Sequence, residues 1–154
     1  MQNKLFSFLL LLFLSSCGYE AIYSKKNSSS YDFSINKLNF IGDREVNLKM
    51  KEKLNNYTLV KKNKNFILNI STSSEKVITA KDVSANAIGY KNTITIATEV
   101  LGDDGFKKSF VIVENYSYDN NNNNFDLKRH EREIKNNLSE IATDKLIFKL
   151  SNIQ

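Results

Sequence analysis

The stretch "NTITIATEVLGDDGFKKSFVIVENYSYD", residues 92 to 119, alternates apolar and polar residues twice, on either side of a Gly/Asp turn. Before the turn, Ile94, Ile96, Thr98 and Val100 fall on one face and Thr93, Thr95, Ala97 and Glu99 on the other. A period of two is the signature of a strand buried on one side. "GDDG", Gly102 to Gly105, supplies the residue types that favour a tight turn. Asp103 and Asp104 are therefore read as turn formers. After the turn, "FKKSFVIVENYSYD" alternates again, so the two runs are expected to pair as an antiparallel hairpin. If residues 90 to 101 are all extended, that strand is about 40 Å long, which is long for a chain of 154 residues.

Upstream, "KNFILNISTSSEKVITA" shows the same alternation. Phe66, Leu68 and Ile70 lie opposite Ile67, Asn69 and Ser71. Two helices are expected besides the strands. In "GDREVNLKMKEKLNN", Asp43 is placed as an N-cap, and Val46, Met50 and Leu54 recur every four residues. The last element, Phe125 to Ile153, carries Ile134, Leu138, Ile141, Ala142, Leu146 and Leu150 at helical spacing. About 25 residues of helix span roughly 38 Å, which matches the long hairpin. "YDFSINKLNFIG" reads as a first strand with one irregularity. The order is strand, helix, three strands, helix. It predicts an α+β two-layer sandwich, with two helices on one face of a mainly antiparallel, roughly four-stranded sheet.

The start of the chain has a different character. The apolar run Leu5 to Leu14 is ten residues long, against about 20 for a spanning helix. Lys4 precedes it, and Ser15 and Ser16 lead to Cys17, the only cysteine. "LSSC" fits a bacterial lipobox: a branched apolar residue, two small residues, then a cysteine whose sulfur takes a diacylglycerol before a peptidase cuts ahead of it. The alternative is an ordinary signal peptide with a free cysteine nearby. Lipidation accounts for an unpaired thiol in an oxidising compartment, and two or three acyl chains anchor stably where one holds marginally. The expected organisation is a lipoprotein signal peptide over 1–16, a lipidated N-terminus and polar linker over 17–31, and one domain over 32–154. Gly18 follows the cysteine in place of an Asp that would suggest inner-membrane retention. The expected location is the outer membrane, on its periplasmic side.

Composition narrows the function classes. The formal charge is +5, and loss of residues 1 to 16 removes only Lys4 among the charged residues. This mild excess suits anionic lipids or sugars. No basic run is dense enough to track a nucleic-acid backbone, so no nucleic-acid partner is expected. His130, the only histidine, lies in "KRHERE" and reads as a solvated surface residue. One histidine and one lipidated cysteine cannot assemble a common zinc site, and no phosphate loop or nucleophile elbow is present. No catalytic residue, metal or cofactor is expected. Tyr90, Phe106, Phe110, Tyr116, Tyr118 and Phe125 cluster around the hairpin. They suit a core, and some of them suit an outward contact surface. "DNNNNNFD", Asp119 to Asp126, reads as a polar loop.

Four stretches resemble the LptE family of outer-membrane lipopolysaccharide-assembly lipoproteins. They are "CGYEAIYS" after the lipidation point, "AIGYKNTITIATEVLGDDG", "VENYSYDNNNNNFDLKRHERE" and the closing "LSEIATDKLIFKLS". Ala21 stands near the place of the family's usual proline in the first stretch. The resemblance implies a non-enzymatic plug inside an LptD-type β-barrel, which helps assemble that barrel and deliver lipopolysaccharide to the outer leaflet. It also implies lipid-A contact through basic residues. Lys91 stands at the family's approximate basic position, and Lys81, Lys107 and Lys108 are added from charge alone. Each of these lysines also reads as a solvated strand-end charge. A plug needs a polar surface because a barrel lumen is polar. A different class, an accessory lipoprotein of an ABC-type phospholipid transport system, would also combine a lipobox with a small α+β domain, and it predicts an apolar cavity. A tethered enzyme would have to draw its chemistry from His130 or Asp103.

Overall fold

The structure is a computed structural model that describes residues 31–59, 61–120 and 123–153. The expected signal peptide over 1–16, Cys17 and the expected linker as far as Ser30 lie outside the described residues, as does part of the Asn run. Residues Tyr31–Gln154 make one compact unit. Its elements are β1 (Phe33–Gly42), α1 (Arg44–Leu54), a short 3-10 turn (Asn55–Tyr57), β2 (Lys64–Lys81), β3 (Ala87–Gly102), β4 (Lys107–Asp119) and α2 (Asn124–Ser151). The sheet order is β1-β2-β3-β4. β1 runs parallel to β2, with a bulge between Ile35 and Lys37. β2, β3 and β4 form an antiparallel meander. Both helices pack on one face of the sheet, so the fold is the expected α+β sandwich.

The alternation read from the sequence is the division between core and open face. Phe66, Leu68, Ile70, Ile94, Ile96, Val100 and Ile112 are buried beneath the helices. Val46, Met50 and Leu54 of α1 are fully buried against them. On α2 the buried row is Ile134, Leu138, Ala142, Leu146 and Leu150, one residue per turn. Ile141 departs from the expected stripe and is 46% exposed. It sits beside that row, where the helix flank overhangs β4.

Local chemistry fixes the joints. Asp43 caps α1, accepting from the N–H groups of Glu45 (3.0 Å) and Val46 (3.1 Å). Gly42, just before it, has φ +98°, and a Cβ there would lie 1.9 Å from the Thr72 carbonyl oxygen. Only glycine lets β1 pass so close to β2 as it turns into the helix. In the 102–105 turn the Gly102 N–H donates to the Phe106 carbonyl (2.8 Å), and the Asp104 carboxylate accepts from the Phe106 N–H (3.0 Å). Gly105 takes the left-handed position, φ +82°. Asn123 caps α2 by accepting from the Phe125 N–H at 3.0 Å.

Candidate functional site

The β2–β3 hairpin runs past the end of β1, which pairs only with residues Lys64 to Thr72 of β2. Its tip is ordered by Asp82. That carboxylate accepts from the N–H groups of Ser84 and Asn86, both at 2.8 Å, and from the Asn86 amide at 3.1 Å. The Asn86 contacts hold the Asp82 carboxyl below its ordinary range. Ala85 takes a positive φ of 66°, which closes the turn. Val83 at this tip is fully exposed, and Ile78 and Ile88 beside it are about half-exposed. Lys81 ends β2 at the tip, and Lys91 lies on the open face of β3 opposite Val77 and Ser117. Neither lysine makes an ion pair among the described residues. The tip therefore sets bare apolar side chains near the Lys81 ammonium group, while Lys91 lies further down β3 on the face opposite Ile78.

Lys107 and Lys108 are not part of this cluster. They begin β4 at the opposite end of the sheet, where Lys107 faces Leu101 of β3. Ten residues of extended β3 separate that position from Lys91, roughly 33 Å. Lys107 is paired with Glu99 at 2.6 Å. Glu99 also accepts from the Asn69 amide (2.9 Å), and Asn69 accepts from the Asn39 amide (2.8 Å). This polar relay crosses all four strands on the open face. Lys107 and Asn69 together hold the Glu99 carboxyl below its ordinary value. Beside the relay lies a shallow groove of about 450 Å3, lined by Ile41, Ser71, Ala97, Glu99, Ser109 and Val111. The sequence pattern put Asn69 and Glu99 on the outward face, but nothing in it joined residues thirty positions apart.

The helix side of the tip is fixed by charge and aromatic contacts. Lys76 lies 3.9 Å from the centre of the Tyr90 ring and pairs with Glu131 of α2. Tyr118 is buried, donates to Glu131 (3.1 Å), and meets Tyr90 and His130 with ring centres 5.7 and 5.8 Å apart. Burial and the Glu131 carboxylate push the Tyr118 hydroxyl pKa well above its ordinary value. His130 is exposed, its ring edge-on to Tyr118. The hairpin aromatics divide: Tyr90, Phe106 and Phe110 pack against the core, whereas Tyr116 and Phe125 are largely exposed.

The arrangement of two helices over a four-stranded mixed sheet is a fold shared with bacterial lipoproteins. The rare lipoprotein B of Shewanella oneidensis superposes with a TM-score of 0.59 at 17% identity, over 75% of this chain and 93% of that one. An uncharacterized lipoprotein B of Nitrosomonas europaea also reaches 0.59, at 11% identity over 86% and 91%. A minor lipoprotein of Acinetobacter baumannii gives 0.52, at 13% identity over 75% and 90%. No protein-family model matches the chain, and no curated protein matches it in sequence. Among the described residues no helix is long and apolar enough to cross a membrane.

Proposed function

We propose that this chain is a lipoprotein of the LptE type. Anchored through Cys17 at the periplasmic leaflet of the outer membrane, it plugs and helps assemble an LptD-type β-barrel and assists lipopolysaccharide delivery to the outer leaflet. It acts by binding, not by catalysis. The observation that carries this reading is the hairpin end, where Val83, Ile78 and Ile88 stand exposed near Lys81, with Lys91 further down β3 on the open face. A phosphorylated, acylated ligand such as lipid A offers oxygen acceptors for the ammonium groups and chains for the apolar residues. The lipobox, the four stretches that resemble the family, and a fold shared with bacterial lipoproteins support the same reading. The polar open face suits a barrel lumen. Lys107, engaged with Glu99 at the far end, is a weaker lipid-A ligand than Lys91.

The test is to purify the tagged full chain from intact envelopes. Co-purification with a large β-barrel and with lipopolysaccharide is expected, and Lys91→Glu should lower the lipopolysaccharide yield while leaving the barrel bound. A chain recovered alone, or together with an ABC-type permease, would overturn the proposal.

A further inference from the structure

The chain enters the domain at a corner where β1, the 3-10 turn and the start of β2 meet. Tyr31 packs its ring against Phe33 and Tyr57, with centres 6.0 and 6.1 Å apart. Asp32 accepts from the Asn63 amide (3.3 Å), and the Ser34 hydroxyl accepts from the Lys62 N–H (3.2 Å). These contacts set residues 31 to 34 beside the loop that follows the 3-10 turn. Leu59 in that loop is 79% exposed. Lys61 is exposed and Lys62 half-buried, and neither makes an ion pair among the described residues.

Acids stand at this end of the sheet too. Asp32 is turned to the Asn63 amide, and Asp144 is paired with Lys53 at 2.6 Å. Asp103 and Asp104, in the β3–β4 turn, line a cavity of about 210 Å3 together with Lys64, whose ammonium donates to the Ile153 carbonyl. Cations outnumber them. Lys51 in the last turn of α1, Lys37 of β1 and Lys108 of β4 join Lys61 and Lys62 without an ion pair among the described residues. A bare leucine among ammonium groups suits an anionic membrane surface. The lysines gain from the headgroup charge, and the leucine reaches the boundary of the acyl layer.

The hairpin tip also sets an exposed valine near a lysine, but it lies at the far end of β2, roughly 55 Å of extended strand from Lys64. The tether decides between the two ends. Cys17 precedes Tyr31 by 14 residues, a length of chain that spans at most about 50 Å. It ends beside Leu59, so an anchor at Cys17 holds this corner at high local concentration against its own leaflet. We propose that the corner of Leu59, Lys61 and Lys62 docks on anionic phospholipid headgroups of the leaflet that holds Cys17. The domain then stands on the membrane with the β2–β3 tip turned away and open to its ligand. The inference rests on the acylated Cys17 of the proposed function, and it describes the chain before a barrel encloses it.

The experiment uses the full processed chain, inserted through its anchor into vesicles that hold no barrel. An acylated Cys17 takes no thiol-reactive dye, so Leu59→Cys or Val83→Cys supplies the one labelled site. In vesicles that mix phosphatidylglycerol with phosphatidylcholine, a lipid-borne quencher is expected to quench the dye at position 59 and to spare the dye at position 83. The quenching should fall in pure phosphatidylcholine and as salt rises. Lys61→Gln with Lys62→Gln should lower the docking equilibrium about 25-fold, fivefold for each charge, with flotation and the circular dichroism spectrum unchanged. The proposal is overturned if the chain floats with phosphatidylcholine vesicles while the dye at position 59 ignores phosphatidylglycerol and salt, or if the dye at position 83 is quenched as strongly. A chain that does not float with pure phosphatidylcholine, or that takes a second dye at Cys17, overturns the anchor and this posture with it.

Discussion

At the scale of single residues, stability turns on a few atoms. Thr98 is buried, and its hydroxyl oxygen has no hydrogen-bond partner among the described residues. An unsatisfied buried hydroxyl costs about 1 kcal/mol or more, so Thr98→Val should raise the stability measured by denaturant melting by about that amount. Gly42→Ala should do the reverse. The new methyl group meets the Thr72 carbonyl at a backbone angle that L residues rarely adopt, and a loss of at least about 2 kcal/mol is expected. Asp43 adds a pH dependence. Burial raises its pKa, but hydrogen bonds from Lys135, Ser74 and the Val46 N–H outweigh it and bring the value to about 2, from 3.8. Its folded pKa lies below its unfolded one. Its contribution, about 2 kcal/mol, is therefore complete above about pH 5 and falls away as the pH drops toward 2. Asp43→Asn should flatten an acid-unfolding curve in that window.

Between elements, charge fixes how the helices dock. α1 offers acid first and base later: Asp43 and Glu45, then Lys49 and Lys53. α2 answers in reverse order, with Lys135 bound to Asp43 (2.7 Å) and Glu45 (2.8 Å), Glu140 to Lys49 (2.9 Å) and Asp144 to Lys53 (2.6 Å). The more exposed pairs, those of Lys49 and Lys53, contribute about 0.2–1 kcal/mol each, so their effect is on register more than on total stability. Reversing Lys49 and Lys53 to Glu should lower the melting temperature. Adding Glu140→Lys and Asp144→Lys should recover most of the loss, a coupling that a double-mutant cycle measures. The elements themselves were legible in the sequence because each has one buried face. Val46, Met50 and Leu54 at every fourth position, with polar residues between them and the Asp43 cap ahead, fit a helix stripe, and Ile94, Ile96, Thr98 and Val100 at every second position fit a strand. The parallel pairing of β1 with β2 was not legible, because no tight turn sets its register. Ile141 was read as core because its spacing suits the stripe. Its exposure depends on how far α2 overhangs β4, a tertiary property.

Across the whole molecule, antiparallel strands separate what the sequence keeps close. Lys81, Lys91, Lys107 and Lys108 fall within one hairpin's length of sequence, yet Lys81 stands at the tip, Lys91 on the strand below it, and Lys107 and Lys108 at the opposite end of the sheet. Distance in a meander depends on which turn lies between two residues, and residue type alone does not report it. The same geometry brings Asn39, Asn69, Glu99 and Lys107 together from four strands. Lys91→Glu should therefore weaken binding to vesicles containing lipid A more than Lys107→Glu does. The difference should shrink as salt rises, as a screened interaction requires, and a flotation assay reads it directly.

The cover of the sheet arrives after its strands. α2, a 28-residue helix, covers β3 and β4 and comes after all four strands, and beyond it the buried Ile153 gives its carbonyl to Lys64. A chain delivered amino end first would display a bare strip of isoleucine, leucine, valine and phenylalanine until α2 arrived. Such a nascent surface invites aggregation. A version stopped at residue 120 is expected to precipitate or to be held by a chaperone, so the arrival of α2 is the step that shields this sheet.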